Sequence, residues 1–157
     1  MTQIVRPGMR HLLLLIVLAS LVLAGPAKAQ SDGMRLVLVA SASSPVDSLE
    51  LSEIRRLYLG VPVAVAGQNI APLRYTERLA QEVFLQKVLF MSLQAYERQI
   101  VTRTFQSGRP KPDESTSALN VTESLLANPF TVSYLPEDVA RKARGIKIIG
   151  LLGGAAL

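Results

Sequence analysis

Short aliphatic runs and helix-spaced apolar residues take turns along this chain, and that alternation restricts it to one class of fold. Arg35 to Ala40 (RLVLVA) reads as a strand, and Ser41 to Val46 as a small-residue loop holding Pro45. Leu51, Ile54, Leu57 and Tyr58 then recur at helical spacing, with Gly60 placed to end the helix in a left-handed turn. Val61 to Val65 and Ile70 to Arg74 read as short strands joined around Gly67. Thr76 is placed to cap a helix carrying Leu79, Ala80, Val83, Phe84 and Val88 inward. Ser92 is placed to cap another, with Leu93, Tyr96 and Ile100 on its core stripe and Phe105 open to the same stripe. Ser107 to Pro112 is a loop by composition. A helix over Ser117 to Ala127 stops at Asn128-Pro129, and Phe130 to Leu135 is a strand. Pro136 opens a short helix to about Ala143, and Ile146 to Ile149 is the last strand. Such a succession predicts an α/β domain, a mixed sheet flanked by helices.

The N-terminus has a different character. Arg6 and Arg10 precede an apolar run of 13 residues, Leu12 to Ala24, which Gly25-Pro26 breaks before Ala27-Lys28-Ala29. A basic head, a short apolar middle and Ala-x-Ala form the pattern of a secretory signal peptide. The run falls short of the roughly 20 apolar residues that span a bilayer. The expectation is a leader at 1–29, cleavage after Ala29, no stable membrane anchor afterwards, and a periplasmic or secreted domain at 30–157. That domain has 128 residues, enough for one core. Without Arg6, Arg10 and Lys28 its balance is 14 basic residues against 12 acidic. These are interspersed along the sequence, which argues against a nucleic-acid partner.

The chain has no cysteine, and its one histidine, His11, lies in the leader. Thiol and Cys–His chemistry, Ser-His-Asp triads and nearly all zinc or copper sites are thereby excluded. No metal and no cofactor are expected. Paired carboxylates and a Ser–Lys dyad stay open as chemistry, but no spacing singles them out, and the chain is read as not an enzyme.

Several segments carry a resemblance. LSEIRRLYLG (51–60), Arg74 with Phe84 ten residues on, and Asn128-Pro129 followed by Tyr134 resemble the phosphate-type solute-binding proteins of ABC uptake systems. The resemblance covers roughly residues 35–150 and implies a type 2 periplasmic-binding-protein fold, about one lobe of the usual two. Where it implies a phosphate-cradling Ser-Gly-Thr, this chain has Arg78-Leu79-Ala80; Phe130 and Ser133 replace two glycines before Tyr134. What could remain of a site is the strand-to-helix turn. There Arg74, Thr76 and Arg78 could bind a small anion or metabolite at a helix N-terminus. Equally, Thr76 could serve only as a cap, Glu77 offset Arg78, and Arg74 be an ordinary surface residue. Ser41, Ser43 and Ser44 could bind polar solutes or merely punctuate a loop. Two functions follow: a solute-binding protein without its phosphate loop, or a single lobe used as an interaction or sensory accessory module. The second has a membrane transporter, a sensor or a second copy as partner. A lone lobe leaves its cleft face open, and Tyr58, Tyr75 and Phe130, at element ends, could form an exposed patch there or belong to the lobe's own core.

Overall fold

The computed structural model describes residues 33–153, so the leader read at 1–29 lies outside the described residues. β1 (Leu36–Ser41) and β6 (Thr131–Pro136) are buried at every position. A strand buried along its whole length is covered on both sheet faces, which is why LVLVA in β1 is unbroken aliphatic and why the polar Thr131 and Ser133 of β6 are buried as well. Between them come α1 (Leu51–Tyr58), the two-residue strands β2 (Ala64–Val65) and β3 (Gln68–Asn69), and β4 (Ala71–Tyr75). Next follow α2 (Arg78–Phe84), a π-helical turn (Leu85–Leu89), α3 (Leu93–Ser107), β5 (Asp113–Ser115) and α4 (Ala118–Ala127). After β6 the chain closes with α5 (Glu137–Lys142) and β7 (Ile146–Leu151).

Five strands form one mixed sheet in the order β5-β4-β6-β1-β7. β4 runs parallel to β5 and β6, and β1 runs antiparallel to both β6 and β7. The α/β expectation thus holds, with β1 as the one reversed strand.

An aromatic cluster fills the core. Phe84 stacks on Tyr134 at 3.8 Å between centroids, and Tyr58 meets both edge-on. Tyr58 donates to the carbonyls of Leu73 and Val132, and Tyr96 donates to the carbonyl of Tyr58 at 2.9 Å. These bonds let the phenols of Tyr58 and Tyr96 enter an apolar interior without orphaned hydroxyls.

The structure revises several local expectations. The segment read as strands 61–65 and 70–74 is a separate hairpin, β2–β3, turning at Ala66 and Gly67, both at positive φ, followed by β4. β5 was not expected; only its three residues pair, beside prolines that mark a loop in sequence. Leu79, Leu93 and Phe105 are 52%, 45% and 85% exposed rather than inward. Glu77, not Thr76, caps α2, its carboxylate accepting from Leu79 and Ala80 N–H at 3.3 and 3.0 Å. A carboxylate reaches these amides from the residue next to the helix, leaving no donor there for a threonine hydroxyl.

Candidate functional site

In open α/β sheets, ligands bind outside the carboxyl ends of the strands, where successive connections depart to opposite sides. Here that place lies between β4 and β6, since β5 flanks β4 on one side and β6 on the other. The carboxyl end of β4 delivers Tyr75 and Thr76, and the backbone N–H of Thr76 donates to the Ser115 carbonyl at the end of β5. The carboxyl end of β6 delivers Glu137, whose backbone N–H donates to the Arg35 carbonyl just before β1. A crevice of about 570 Å³ opens here, lined by Met34, Arg35, Leu79, Glu137, Asp138 and Arg141, with Gly33 at its edge.

Its charges are paired within the chain. Glu137 holds Arg35 at 3.2 Å and takes two hydrogen bonds from Arg141. The bond from Arg141, with the nearby Arg35 charge, keeps the Glu137 carboxyl below its ordinary pKa. Acids in the first turn of α5, Glu137 and Asp138, occupy the electropositive end of that helix. At the start of α2 the Glu77 carboxylate does the same.

Arg74, Thr76 and Arg78 are neighbours in sequence but do not converge. Arg74 is 2% exposed, which overturns its reading as an ordinary surface residue. Its guanidinium lies 4.4 Å from the Tyr96 ring centroid and donates to Glu97 and Glu114 at 3.1 and 3.2 Å. Two carboxylates on α3 and β5 therefore stand where an incoming anion would have to bind Arg74. Thr76 is half-buried at the sheet edge. Arg78 is exposed and lines a different cavity of about 320 Å³, with Gln81, Glu82 and Leu93.

Ser41, Ser43 and Ser44 are farther off still. Because β1 runs against β4 and β6, its end lies beside the start of β6, at the other end of the sheet from the crevice. There the hydroxyls of Ser41 and Ser43 bond each other at 2.9 Å, and Ser44 accepts from the backbone N–H of Val46. Lys147 bonds Asp47 and the Ser44 carbonyl rather than a serine hydroxyl.

The expected patch of Tyr58, Tyr75 and Phe130 does not exist as one face. Tyr58 is fully buried beneath the sheet, held by the hydrogen bonds given above. Tyr75 is 7% exposed at the carboxyl end of β4, where burial, then the charge of Glu77, raises its pKa. Phe130 is half-buried at the opposite end of the sheet, just before β6.

Sequence reading missed Glu97, Glu114, Arg35 and Glu137, which shape this region, and took Glu77 for a partner of Arg78 rather than the cap. Glutamate is not a favoured N-cap, so nothing in the sequence marks Glu77 as the cap, and Glu97 and Glu114 meet Arg74 only through tertiary packing.

No protein-family model and no curated protein matches the chain. Solved structures do match it. An ABC-type phosphate transport receptor from Vibrio cholerae aligns at TM-score 0.55 and 15% identity, over 74% of this chain and 46% of that one. A possible phosphate binding protein from Planctomyces limnophilus aligns at TM-score 0.52 and 10% identity, over 75% of this chain and 42% of that one. The chain spans less than half the length of either structure. Five mixed strands with their flanking helices have the fold of about half of a phosphate-binding protein, the extent of one lobe.

Proposed function

We infer that this chain is an exported, non-enzymatic binding-protein lobe whose anion site is closed by its own carboxylates. It serves a membrane transporter or sensor by contact rather than by carrying phosphate. The observation behind this is the Glu77 carboxylate on the N–H groups of Leu79 and Ala80, in the segment Arg78-Leu79-Ala80 where the resemblance puts Ser-Gly-Thr. The same substitution of an internal carboxylate for a ligand recurs at Arg74. An anion entering here must displace a tethered partner, so phosphate binding is expected to be no tighter than about millimolar. Calorimetry at neutral pH tests this, and micromolar phosphate binding would overturn it. Export is tested separately: the intact mass of the protein recovered outside the cytoplasm should begin at Gln30. Full-length precursor embedded in membrane is the contrary result.

A second reading, weak recognition of a small solute, is favoured by the crevice itself. At about 570 Å³ it falls within the size range of small-molecule sites. A metabolite that binds there raises the melting temperature in proportion to ln(1 + [L]/Kd). A thermal-shift screen without a single stabilising compound would remove this reading and leave the first intact.

A further inference from the structure

Four cations gather on and just after α3, with few acids free to pair with them. Arg98 and Arg103 lie on α3, and Arg109 and Lys111 follow in the loop that leaves it. Arg98 and Arg103 line a shallow groove of about 420 Å³ on α3. Arg103 also borders a small depression shared with Arg109 and Lys111, which in turn line an adjacent cavity of about 340 Å³. The one carboxylate in these three linings is Asp113. The nearest other acids, Glu97 and Glu114, are both bonded to Arg74, and Lys111 stands 3.9 Å from the latter. Among the described residues Arg98, Arg103 and Arg109 form no ion pair.

Apolar side chains project beside these cations. Phe105 is 85% exposed and Val101 49%. Arg98, Val101 and Phe105 stand at i, i+3 and i+7 of α3, which places them on one stripe of its surface. Gly108, left-handed at φ 66°, then ends the helix and turns the chain into the segment carrying Arg109 and Lys111. Arg103 is held from the other side: a Cβ on Gly60 would sit 3.1 Å from its Cγ, so the bare glycine lets its stem lie flat against the end of α1.

We propose that this flank docks on an anionic lipid surface. Phe105 and Val101 enter the headgroup layer, and Arg98, Arg109 and Lys111 lie against lipid phosphates. The charge pattern chooses the occupant: a field of cations beside a projecting ring, with Arg98 and Arg109 free of ion pairs among the described residues, complements a surface that is both anionic and soft enough to admit the ring. An acidic protein would match the cations but would also have to present a pocket for Phe105.

The test uses the chain from Gln30, which contains the entire sheet and core, floated with vesicles of phosphatidylcholine alone or mixed with phosphatidylglycerol. Binding is expected to the mixed vesicles only and to fall with salt, each cation contributing about fivefold in partitioning. Arg109→Glu with Lys111→Glu should lower it by at least about 25-fold. Phe105→Ser should lower it about tenfold with the melting temperature unchanged, because the ring packs on little of the protein. Equal binding to neutral and anionic vesicles overturns the proposal, as does binding that these variants leave unchanged. Absence of vesicle binding alongside salt-sensitive binding of poly-glutamate also overturns it and assigns the flank to an acidic protein.

Discussion

The guanidinium of Arg74 is buried, yet the two carboxylates it reaches are 42% and 45% exposed. That asymmetry decides how substitutions should behave. Arg74→Met keeps the stem against Tyr96 and returns Glu97 and Glu114 to water, so its cost should be only about 1 kcal/mol. Glu97→Gln with Glu114→Gln strands a cation in the interior, and the expected loss is about 3 kcal/mol. Urea unfolding of the two variants checks the order; a costlier Arg74→Met would mean that packing on Tyr96, not charge, fixes this residue. Arg74 stands out in the sequence by its place at a strand end, but its pairing was not legible. The acids that neutralise it lie 23 and 40 residues away, on elements whose juxtaposition only the fold creates.

Among the elements, β4 is the one that changes partners. It pairs with β6 through Ala71 and Pro72 and with β5 through Leu73, Arg74 and Tyr75. The Leu73 carbonyl, at the changeover, receives hydroxyl hydrogens from Ser133 at 2.9 Å and from Tyr58 at 3.2 Å. Removing either donor alone leaves the other, so Ser133→Ala or Tyr58→Phe should each cost about 1 kcal/mol. Removing both orphans a buried carbonyl, and the double variant should lose more than the sum of the two. A double-mutant cycle by chemical denaturation reads this directly; strict additivity would show that the carbonyl finds another donor. β1 was readable because its apolar run is uninterrupted, and β6 because Val132, Tyr134 and Leu135 follow the Asn128-Pro129 stop. β5 was not, since Asp113-Glu114-Ser115 has no strand character and pairs only because β4 presents an open edge. The caps show the same division: Ser92 accepts from the backbone N–H of Ala95 as a cap should, whereas Glu77 displaced Thr76.

At the scale of the whole molecule, the buried phenols set an alkaline limit. Burial pushes the Tyr96 hydroxyl up to about 12 and raises Tyr58 and Tyr134 further. A group whose pKa is raised by folding contributes its full stability below the unfolded value, about 10 for tyrosine, and loses it as pH climbs through the folded value. Stability should therefore decline from pH ~10 onward through ~12, with tyrosinate absorbance growing in step with loss of circular dichroism. Tyrosinate appearing near pH 10 in a still-folded protein would contradict the burial. The reversed strand has a different consequence, one for the order of events in synthesis. β1 is the first strand to leave the ribosome, and its neighbours β6 and β7 are nearly the last: Leu36 pairs with Pro136 and Val37 with Leu151. No stable sheet can form around it until almost the entire polypeptide is free, so folding is postponed rather than vectorial, and such long loop closures are slow. A chain built this way stays threadable for as long as its C-terminal end is held back.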